Sequence, residues 1–247
     1  MAEDESVLER PAAPPDAVVA WGGAPDQVAD VRHGGARAAQ RPLLAIVHGG
    51  FWRPRYDRAH TAPMAAALAA SGWTVASLEY RRIPGDPDAT VADVRSALSA
   101  LPALIEGHDG DVVAIGHSAG GHLVLLAASR PPTPRLRGVL ALAPVADLRL
   151  AQELHLGDGA VSAFLGSDGA ARADLDPLHS PAPPIATTIL QGADDTTVPP
   201  AVAQSYARAH PQVRLRILRD GGHYAVIDPL SAAWPAVVEE IEALAAR

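Results

Sequence analysis

The strongest constraint on the fold is a regular alternation of short apolar runs with alanine-rich segments of helical periodicity. The apolar runs, which we predict to be strands, are residues 43–48, 74–80, 111–116, 138–143, 187–192 and 213–218. The segments predicted as helices are residues 61–72, 88–105, 119–129, 202–209 and 231–246. Strands that alternate with helices imply βαβ units and a mostly parallel sheet covered by helices on both faces. Residues 17–21 and 27–33 are candidates for an antiparallel hairpin at the sheet edge.

Length and composition fit a single α/β domain over residues 1–247. Hydrophobic residues make up 48% of the chain and charged residues 19%, which is enough apolar material for a sizeable core. The absence of cysteine excludes disulfides, thiolate nucleophiles and cysteine-ligated zinc. A net charge of −8 argues against nucleic acid and anionic membranes as partners. Because no segment resembles a secretory signal or a membrane span, we expect a cytoplasmic protein, and a homodimer is left open.

Two segments depart from the alternation of strands and helices. Residues 1–16 are acidic and proline-rich, and this composition predicts poor order. Residues 148–184 contain several glycines and prolines with weak helical patterning, and they are too many for a simple connection. We favour a small cap or lid over a site for residues 148–184, and the alternative is a plain surface excursion.

The run Gly116-His117-Ser118-Ala119-Gly120 follows a predicted strand and precedes a predicted helix. This Gly-x-Ser-x-Gly pattern is typical of a nucleophile elbow, a turn so tight that side chains at the flanking positions would clash. The N–H groups and the positive dipole end of the following helix would then point at an anion forming at Ser118. The pattern predicts Ser118 as a catalytic nucleophile.

A serine nucleophile needs a base and an orienting carboxylate, and in this fold their chain order is Ser, Asp or Glu, then His. Asp195 follows a predicted strand and is our candidate for the acid, with Asp194 shaping the same loop. Asp147, after the preceding strand, is the alternative acid. His223 lies in the loop after the last strand and is the candidate base. Two other histidines, His117 and His122, flank the elbow, and we expect them to pack or hydrogen-bond around it rather than act as the base.

The tetrahedral intermediate also needs hydrogen-bond donors for its oxyanion. The backbone N–H of Ala119, the residue after the nucleophile, is one expected donor. The others should come from the loop after the earlier strand, which contains a His-Gly-Gly sequence. Our candidates there are the N–H groups of Gly50 and Phe51. This chemistry requires no cofactor and no metal, and we predict neither.

These motifs together resemble the α/β-hydrolase fold, and within it the kynurenine formamidase (arylformamidase) and small carboxylesterase group. The residues that carry the resemblance are His48–Trp52, Gly116–His122, the Asp195 loop and the histidine of Gly221–Pro229. The resemblance extends from about Gly22 to the end of the sequence. It implies a Ser118–Asp195–His223 triad and an oxyanion hole formed by Gly50, Phe51 and Ala119.

Aromatic residues are scarce, at 4%, yet several lie near these motifs. Trp52, Tyr56, Phe164 and Tyr224 are candidates for the walls of an aryl-shaped substrate pocket. The alternative for Trp52 is simple packing under its loop. Arg53, Arg55 and Arg58 are candidates for holding a substrate carboxylate, although solvated surface arginines are the more common case.

The function favoured by these residues is hydrolysis of a small formamide or carboxylic ester through an acyl-enzyme. The expected partner is a small-molecule substrate, with an aromatic group as one option. One alternative is a small peptidase similar to prolyl oligopeptidases, which share this order of motifs. Another is a non-catalytic ligand receptor on a hydrolase fold.

Overall fold

The computed structural model describes residues 3–130, 135–166 and 169–247. The strands are β1 (Ala17–Ala20), β2 (Val28–Arg32), β3 (Leu43–Val47), β4 (Val75–Leu78), β5 (Val112–His117), β6 (Leu136–Leu142), β7 (Ala186–Gly192) and β8 (Arg214–Leu218). The α-helices are α1 (Ala62–Ala70), α2 (Pro87–Leu104), α3 (Ala119–Ser129), α4 (Leu148–Glu153), α5 (Ala160–Leu165), α6 (Pro200–Ala209) and α7 (Trp234–Ala245). Turns of 3₁₀ helix lie at Ser6–Glu9, Gly35–Gln40, Arg58–Thr61, Gly169–Leu175, Pro177–His179 and Ala225–Ile227. Within these described ranges, no helix is both long and apolar enough to cross a bilayer.

The strands form one 8-stranded sheet in the order β1-β2-β4-β3-β5-β6-β7-β8. The hairpin of β1 and β2 pairs antiparallel, as predicted, and β2 is also antiparallel to β4. All other neighbours are parallel, which confirms the predicted α/β-hydrolase architecture. The chain leaves β3 toward β4 on one side and returns to β5 on the other, so the strand order reverses beside β3. Ligands of open α/β sheets bind at such a switch point, outside the carboxyl ends of the strands.

The central strands are buried because helices cover both faces of the sheet. Along β5, Val112 and Ala114 point to one apolar cluster, which also contains side chains of α2 and α3. Val113 and Ile115 point to the opposite cluster, which contains side chains of α1 and α7. Burial on both faces explains why these strands are continuous apolar runs rather than alternating ones.

The predicted elements are present, with shifted boundaries. The last helix begins at Trp234 rather than at residue 231, because Ser231 belongs to a turn in which its N–H donates to the carbonyl of Asp228 at 3.0 Å. Pro235 then occupies the first turn of α7, where a missing N–H costs nothing. In the same way α6 begins at Pro200 instead of residue 202.

Residues 148–184, which we call the cap segment, contain α4, α5 and two 3₁₀ turns; residues 167 and 168 of it lie outside the described residues. The start of the chain also packs against the domain. Within residues 3–10, the N-terminal segment, Val7 is 1% exposed and Arg10 pairs with Asp228, its Nη2 donating to Oδ2 at 3.0 Å. Residues 1 and 2 of the range with predicted poor order lie outside the described residues.

Candidate active site

Ser118 stands between the end of β5 and the first residue of α3, with φ 55° and ψ −116°. Such a conformation costs a residue other than glycine about 1–3 kcal/mol, and the surroundings must hold it. The N–H of Ser118 donates to the carbonyl of Leu142 at 2.8 Å. Its own carbonyl accepts from the N–H groups of His122, at 3.1 Å, and Val145, at 3.2 Å. The strained turn is therefore fixed by the neighbouring strand and by its own helix.

The flanking glycines are required by close backbone contacts. A Cβ at Gly116 would lie 2.3 Å from the carbonyl oxygen of Gly120. A Cβ at Gly120 would lie 2.0 Å from the carbonyl oxygen of Val47, at the end of β3. A side chain at either position would therefore clash with backbone, as expected from the sequence.

The loop after β3 runs beside Ser118. A Cβ at Gly49 would lie 3.0 Å from Cβ of Ser118. Gly50, Phe51 and Trp52 follow with φ of 102°, 51° and 55°, and the N–H of Arg53 closes the turn on the carbonyl of Gly50 at 3.0 Å. Successive backbone N–H groups in a turn can form an anion-binding concavity. Ala119 is the first residue of α3, and the N–H groups of a first helical turn have no partner within their helix.

The buried side chain of His48 anchors this loop. Its Nδ1 lies 2.8 Å from the carbonyl oxygen of Gly49, and its Nε2 lies 3.0 Å from Oε1 of the buried Glu79. The hydroxyl of Tyr80 donates to the carbonyl of His48 at 2.9 Å, and the two rings stack with centroids 4.4 Å apart. Side chains of the two residues that follow β4 therefore hold His48 and fix the position of the loop beside Ser118.

Asp195 and His223 lie side by side on the loops after β7 and β8. Nδ1 of His223 lies 2.8 Å from Oδ2 of Asp195, and both side chains are almost fully buried. Oδ1 of Asp195 accepts from the N–H groups of Thr197, at 3.0 Å, and Val198, at 2.7 Å. The side-chain amide of Gln191 donates to Oδ2 at 2.9 Å. The carboxylate is thus held in one orientation by three donors besides the histidine.

The alternative acid, Asp147, is engaged elsewhere. It is the N-cap of α4, and its Oδ1 accepts from the N–H of Leu150 at 2.8 Å. Its Oδ2 accepts from the hydroxyl of Ser205 in α6 at 2.6 Å. Asp194, the neighbour of the favoured acid, links two loops, because its N–H donates to the carbonyl of Gly221 at 3.1 Å.

His117 and His122 pack around the elbow. Nε2 of His117 lies 3.0 Å from the carbonyl oxygen of His223, and the two rings are 4.7 Å apart. Burial, together with the neighbouring His223, holds the pKa of His117 well below its usual range, so a neutral ring donates from Nε2. Nε2 of His122 lies 2.8 Å from the carbonyl oxygen of Leu175, and burial lowers its pKa to about 4.

A cavity of about 510 Å³ opens above Ser118 and His223. Side chains and backbone that line it include Gly50, Phe51, Arg53, Arg55, Tyr56, His60, Gly157, Asp158 and Tyr224. Burial raises the pKa of Tyr224 to about 12, so its hydroxyl is neutral beside the histidine. Among the described residues, no group of three or more His, Asp or Glu side chains is arranged to hold a metal ion.

Two of the four aromatic residues expected in the pocket are in the core instead. Trp52 and Phe164 are 3% and 4% exposed and stack with ring centroids 4.5 Å apart. His122 packs edge-on against Trp52 at 5.1 Å. The physical reason is that α5 of the cap segment presses Phe164 into the apolar cluster under the loop after β3, which leaves Tyr56 and Tyr224 at the cavity wall.

The three arginines considered as carboxylate ligands have different surroundings. Arg58 pairs with Asp30, 2.9 Å away, and lies 3.5 Å from Glu79. Arg53 donates to the carbonyl of Gly157 in the cap segment. Arg55 is exposed at the cavity, with its guanidinium 4.8 Å from the ring centroid of Tyr56. Arg53 and Arg55 both line the cavity, and of the three arginines Arg55 is the exposed one.

Sequence reasoning missed two residues that contact the Asp195–His223 pair. Gln191 carries the signal of a long polar side chain directly after the apolar Ile189 and Leu190 of a buried strand, at the start of the acid loop. Glu3 carries no comparable signal, because it belongs to an acidic segment that composition alone describes as solvated. Its carboxylate nevertheless accepts from the backbone N–H of His223 at 2.8 Å.

Comparison with known proteins finds the same scaffold. Residues 29–209 match the BD-FAE family. The Probable carboxylic ester hydrolase LipM of Mycobacterium tuberculosis (strain ATCC 25618 / H37Rv) is 40% identical over 101 residues, which are 39% of this chain and 23% of LipM. Kynurenine formamidase of Danio rerio is 28% identical over 138 residues, which are 53% of this chain and 46% of that enzyme. The matches thus span less than half the length of these relatives.

Solved structures agree on the fold. Esterase B from Lactobacillus rhamnosis, in a structure with a tributyrin phosphonate, superposes with a TM-score of 0.77 at 20% identity. That superposition covers 95% of this chain and 88% of Esterase B. At this identity the likeness concerns the fold, and the family match covers most of the chain. The chain belongs to the BD-FAE family, a serine hydrolase family with the α/β-hydrolase fold.

Proposed function

We propose that this protein hydrolyses small carboxylic esters through an acyl-enzyme formed on Ser118, with His223 as the general base and Asp195 as its orienting acid. One observation carries the proposal: His223, whose Nδ1 lies 2.8 Å from Oδ2 of the buried Asp195, lines the same cavity as Ser118, a serine in a strained turn. Its similarity to LipM, a carboxylic ester hydrolase by name, supports the substrate class.

In the first step Oγ of Ser118 attacks the ester carbonyl carbon and loses its proton to Nε2 of His223. The hydrogen bond from Nδ1 to Asp195 favours the tautomer in which Nε2 is unprotonated, and it stabilises the imidazolium that forms. His223 then gives the proton to the departing alkoxide, which leaves as an alcohol. A water molecule, deprotonated by the same nitrogen, attacks the acyl group and releases the carboxylic acid with the serine restored.

The oxyanion of each tetrahedral intermediate would be held by the backbone N–H groups of Gly50, Phe51 and Ala119. The run of left-handed residues after β3 supports the first two, and the free first turn of α3 supports the third. Loss of one such donor typically lowers kcat by about 10²–10³-fold. These donors are backbone atoms fixed by strain and packing, so they need no reorganisation during the reaction.

The size of the cavity supports small substrates, and its lining favours a second class of substrate. Its volume of about 510 Å³ lies in the usual range for small-molecule sites. Phe51, Tyr56 and Tyr224 in its wall, together with the similarity to kynurenine formamidase, favour aryl formamides as an additional substrate class. A formamide would follow the same steps, with a formyl group carried on Ser118 and an arylamine leaving.

The test compares p-nitrophenyl acetate with N-formyl-kynurenine, using the unaltered protein, Ser118→Ala and Ser99→Ala. Ser99 is an exposed serine of α2 and serves as the matched control. We expect Ser118→Ala to lower ester turnover by at least about 10³-fold and Ser99→Ala to leave it within twofold. Ester turnover that survives Ser118→Ala would contradict the proposal. Turnover of N-formyl-kynurenine decides whether formamides belong to the substrate range.

A further inference from the structure

The carboxylate of Glu3 joins the loop of the candidate acid to the loop of the candidate base. Its Oε1 accepts from the backbone N–H of Thr196 at 2.7 Å and from the hydroxyl of the same residue at 3.0 Å. Its Oε2 accepts from the backbone N–H of His223 at 2.8 Å. One side chain from the start of the sequence therefore contacts the residue after Asp195 and the histidine itself.

The remainder of the N-terminal segment holds Glu3 in this position. Val7 is buried in the apolar cluster that contains side chains of α1 and α7, and Arg10 pairs with Asp228 beyond the histidine loop. Further along, Leu8 and Glu9 line the cavity above Ser118. The segment thus packs along the rim of the site and contacts both of its loops.

A glycine makes room for this contact. A Cβ at Gly222 would lie 2.0 Å from Oε2 of Glu3, and its three nearest atoms would all belong to the Glu3 side chain. The φ angle of Gly222 lies outside the left-handed region, so an alanine there is compatible with the backbone. The contact between the Glu3 carboxylate and His223 therefore requires a glycine at position 222.

Three hydrogen bonds hold His223, one at each of its polar groups other than Nε2. Nδ1 is held by Asp195, the carbonyl accepts from His117, and the N–H donates to Glu3. His117 is the last residue of β5, and Asp195 lies on the loop directly after β7. Glu3 supplies the third contact from outside the sheet, and it is the one that ties His223 to Thr196.

We propose that Glu3 is a positioning residue that fixes the base relative to the acid during catalysis; this inference rests on the proposed function. A carboxylate suits the position because both of its oxygens accept, and they face three donors on two loops. Hydrogen bonds to a charged acceptor are about twice as strong as neutral ones. A glutamine would place its NH₂ group against one of these donors and leave that loop unheld.

The test measures kcat and KM for p-nitrophenyl acetate in Glu3→Ala, Glu3→Gln and Glu5→Gln. The rates are expressed per Ser118 labelled by a fluorophosphonate, so that misfolded molecules do not count. Glu5 is exposed, and Glu5→Gln removes the same charge as Glu3→Gln two residues away. Because a base displaced by a fraction of an ångström slows both proton transfers, we expect roughly tenfold lower kcat in both Glu3 variants with KM unchanged. Glu5→Gln should stay within twofold.

Gly222→Ala gives an independent reading of the same contact. Alone it should lower kcat to about the level of Glu3→Ala, because its methyl group displaces the carboxylate. Combined with Glu3→Ala it should add nothing further, since the displaced atoms are absent. Additive losses, or kcat per labelled serine within twofold of the unaltered protein in Glu3→Ala, would overturn the inference.

The two proposals fail in different ways. If Ser118→Ala and His223→Ala abolish turnover while the Glu3 variants keep full kcat, only the role of Glu3 is refuted. If Ser118→Ala retains turnover, or the fluorophosphonate does not label Ser118, the proposed function itself is refuted and the role of Glu3 with it. A fall in thermal stability of Glu3→Ala without a fall in kcat per labelled serine would show a purely structural contact and overturn the inference.

Discussion

Asp195 and His223 are separated by 28 residues in sequence, and their Oδ2 and Nδ1 atoms are 2.8 Å apart. Each stands on a loop that follows a parallel strand, and β7 and β8 are neighbours in the sheet. Adjacent parallel strands carry their following loops to the same edge, which is why two residues from separate loops meet. Asp147 follows β6 at the same edge, but its carboxylate caps α4 and accepts from Ser205.

This difference predicts unequal effects of two identical substitutions. Asp195→Asn should lower kcat for ester hydrolysis by about 10³–10⁴-fold, because an amide favours the wrong tautomer of His223. Asp147→Asn should leave kcat within about threefold, since asparagine caps a helix as well as aspartate does. Steady-state kinetics on both variants, with circular dichroism to confirm folding, checks the prediction. A larger loss in Asp147→Asn would assign the acid to the loop after β6.

The close contacts of the elbow glycines predict a large loss of stability when one of them is substituted. Gly120→Ala should lower the free energy of unfolding by more than about 3 kcal/mol, because its methyl group would overlap the backbone of Val47. Gly23→Ala is the control, since a Cβ there meets nothing within 4 Å. Urea unfolding of the two variants measures the difference. Equal midpoints would mean that the turn relaxes without cost.

Substitutions of Tyr56 and Phe164 should affect different properties: Tyr56 the substrate preference and Phe164 the stability. Tyr56→Ala should lower kcat/KM for phenyl acetate by about 2–10-fold and change it little for ethyl acetate, because an aromatic contact is worth about 0.5–1.5 kcal/mol. Phe164→Leu should reduce stability and leave the ratio of the two substrates unchanged, since Phe164 stacks on Trp52 in the core. A preference that changes in Phe164→Leu instead would place that ring in the substrate pocket.

Buried histidines predict a loss of stability in mild acid. Burial lowers the pKa of His122 to about 4, whereas the unfolded chain titrates near 6.5. Between these values the unfolded state binds the proton more tightly, so stability falls as the pH drops below about 6.5. His122 alone should account for about 2 kcal/mol between pH 7 and pH 5. His122→Gln, which can still donate to Leu175, should flatten the slope of unfolding free energy against pH by one proton, and an unchanged slope would contradict this.

The sheet and the elbow were accessible from sequence because their signals are local. Strands buried on both faces are continuous apolar runs, and the tight turn at Ser118 demands glycines at fixed spacing. The order of Ser118, Asp195 and His223 could be proposed because each follows a strand. The alternative acid, Asp147, could not be judged from sequence, since the contact of its second carboxylate oxygen is with Ser205, 58 residues further along the chain.

Other features depend on packing that no local pattern records. The acidic composition around Glu3 predicts a solvated segment, yet its contact with His223 spans 220 positions in sequence. In the same way, the closeness of Trp52 to the loop motif suggested a place in the cavity wall. Which face of that loop its ring occupies is decided by α5, far along the chain. Such choices arise from tertiary contacts and not from residue type or spacing.

The stack of Trp52 on Phe164 joins the loop after β3 to the cap segment through two buried rings. Any outward movement of α5 would carry Phe164 away and expose the indole to water, which shifts tryptophan emission to longer wavelength. The same movement would release the residue next to Phe51, whose backbone stands beside Ser118. In a variant that keeps Trp52 as the single tryptophan of the four in the sequence, opening of the cap and disturbance of the loop beside Ser118 would therefore appear in one fluorescence signal.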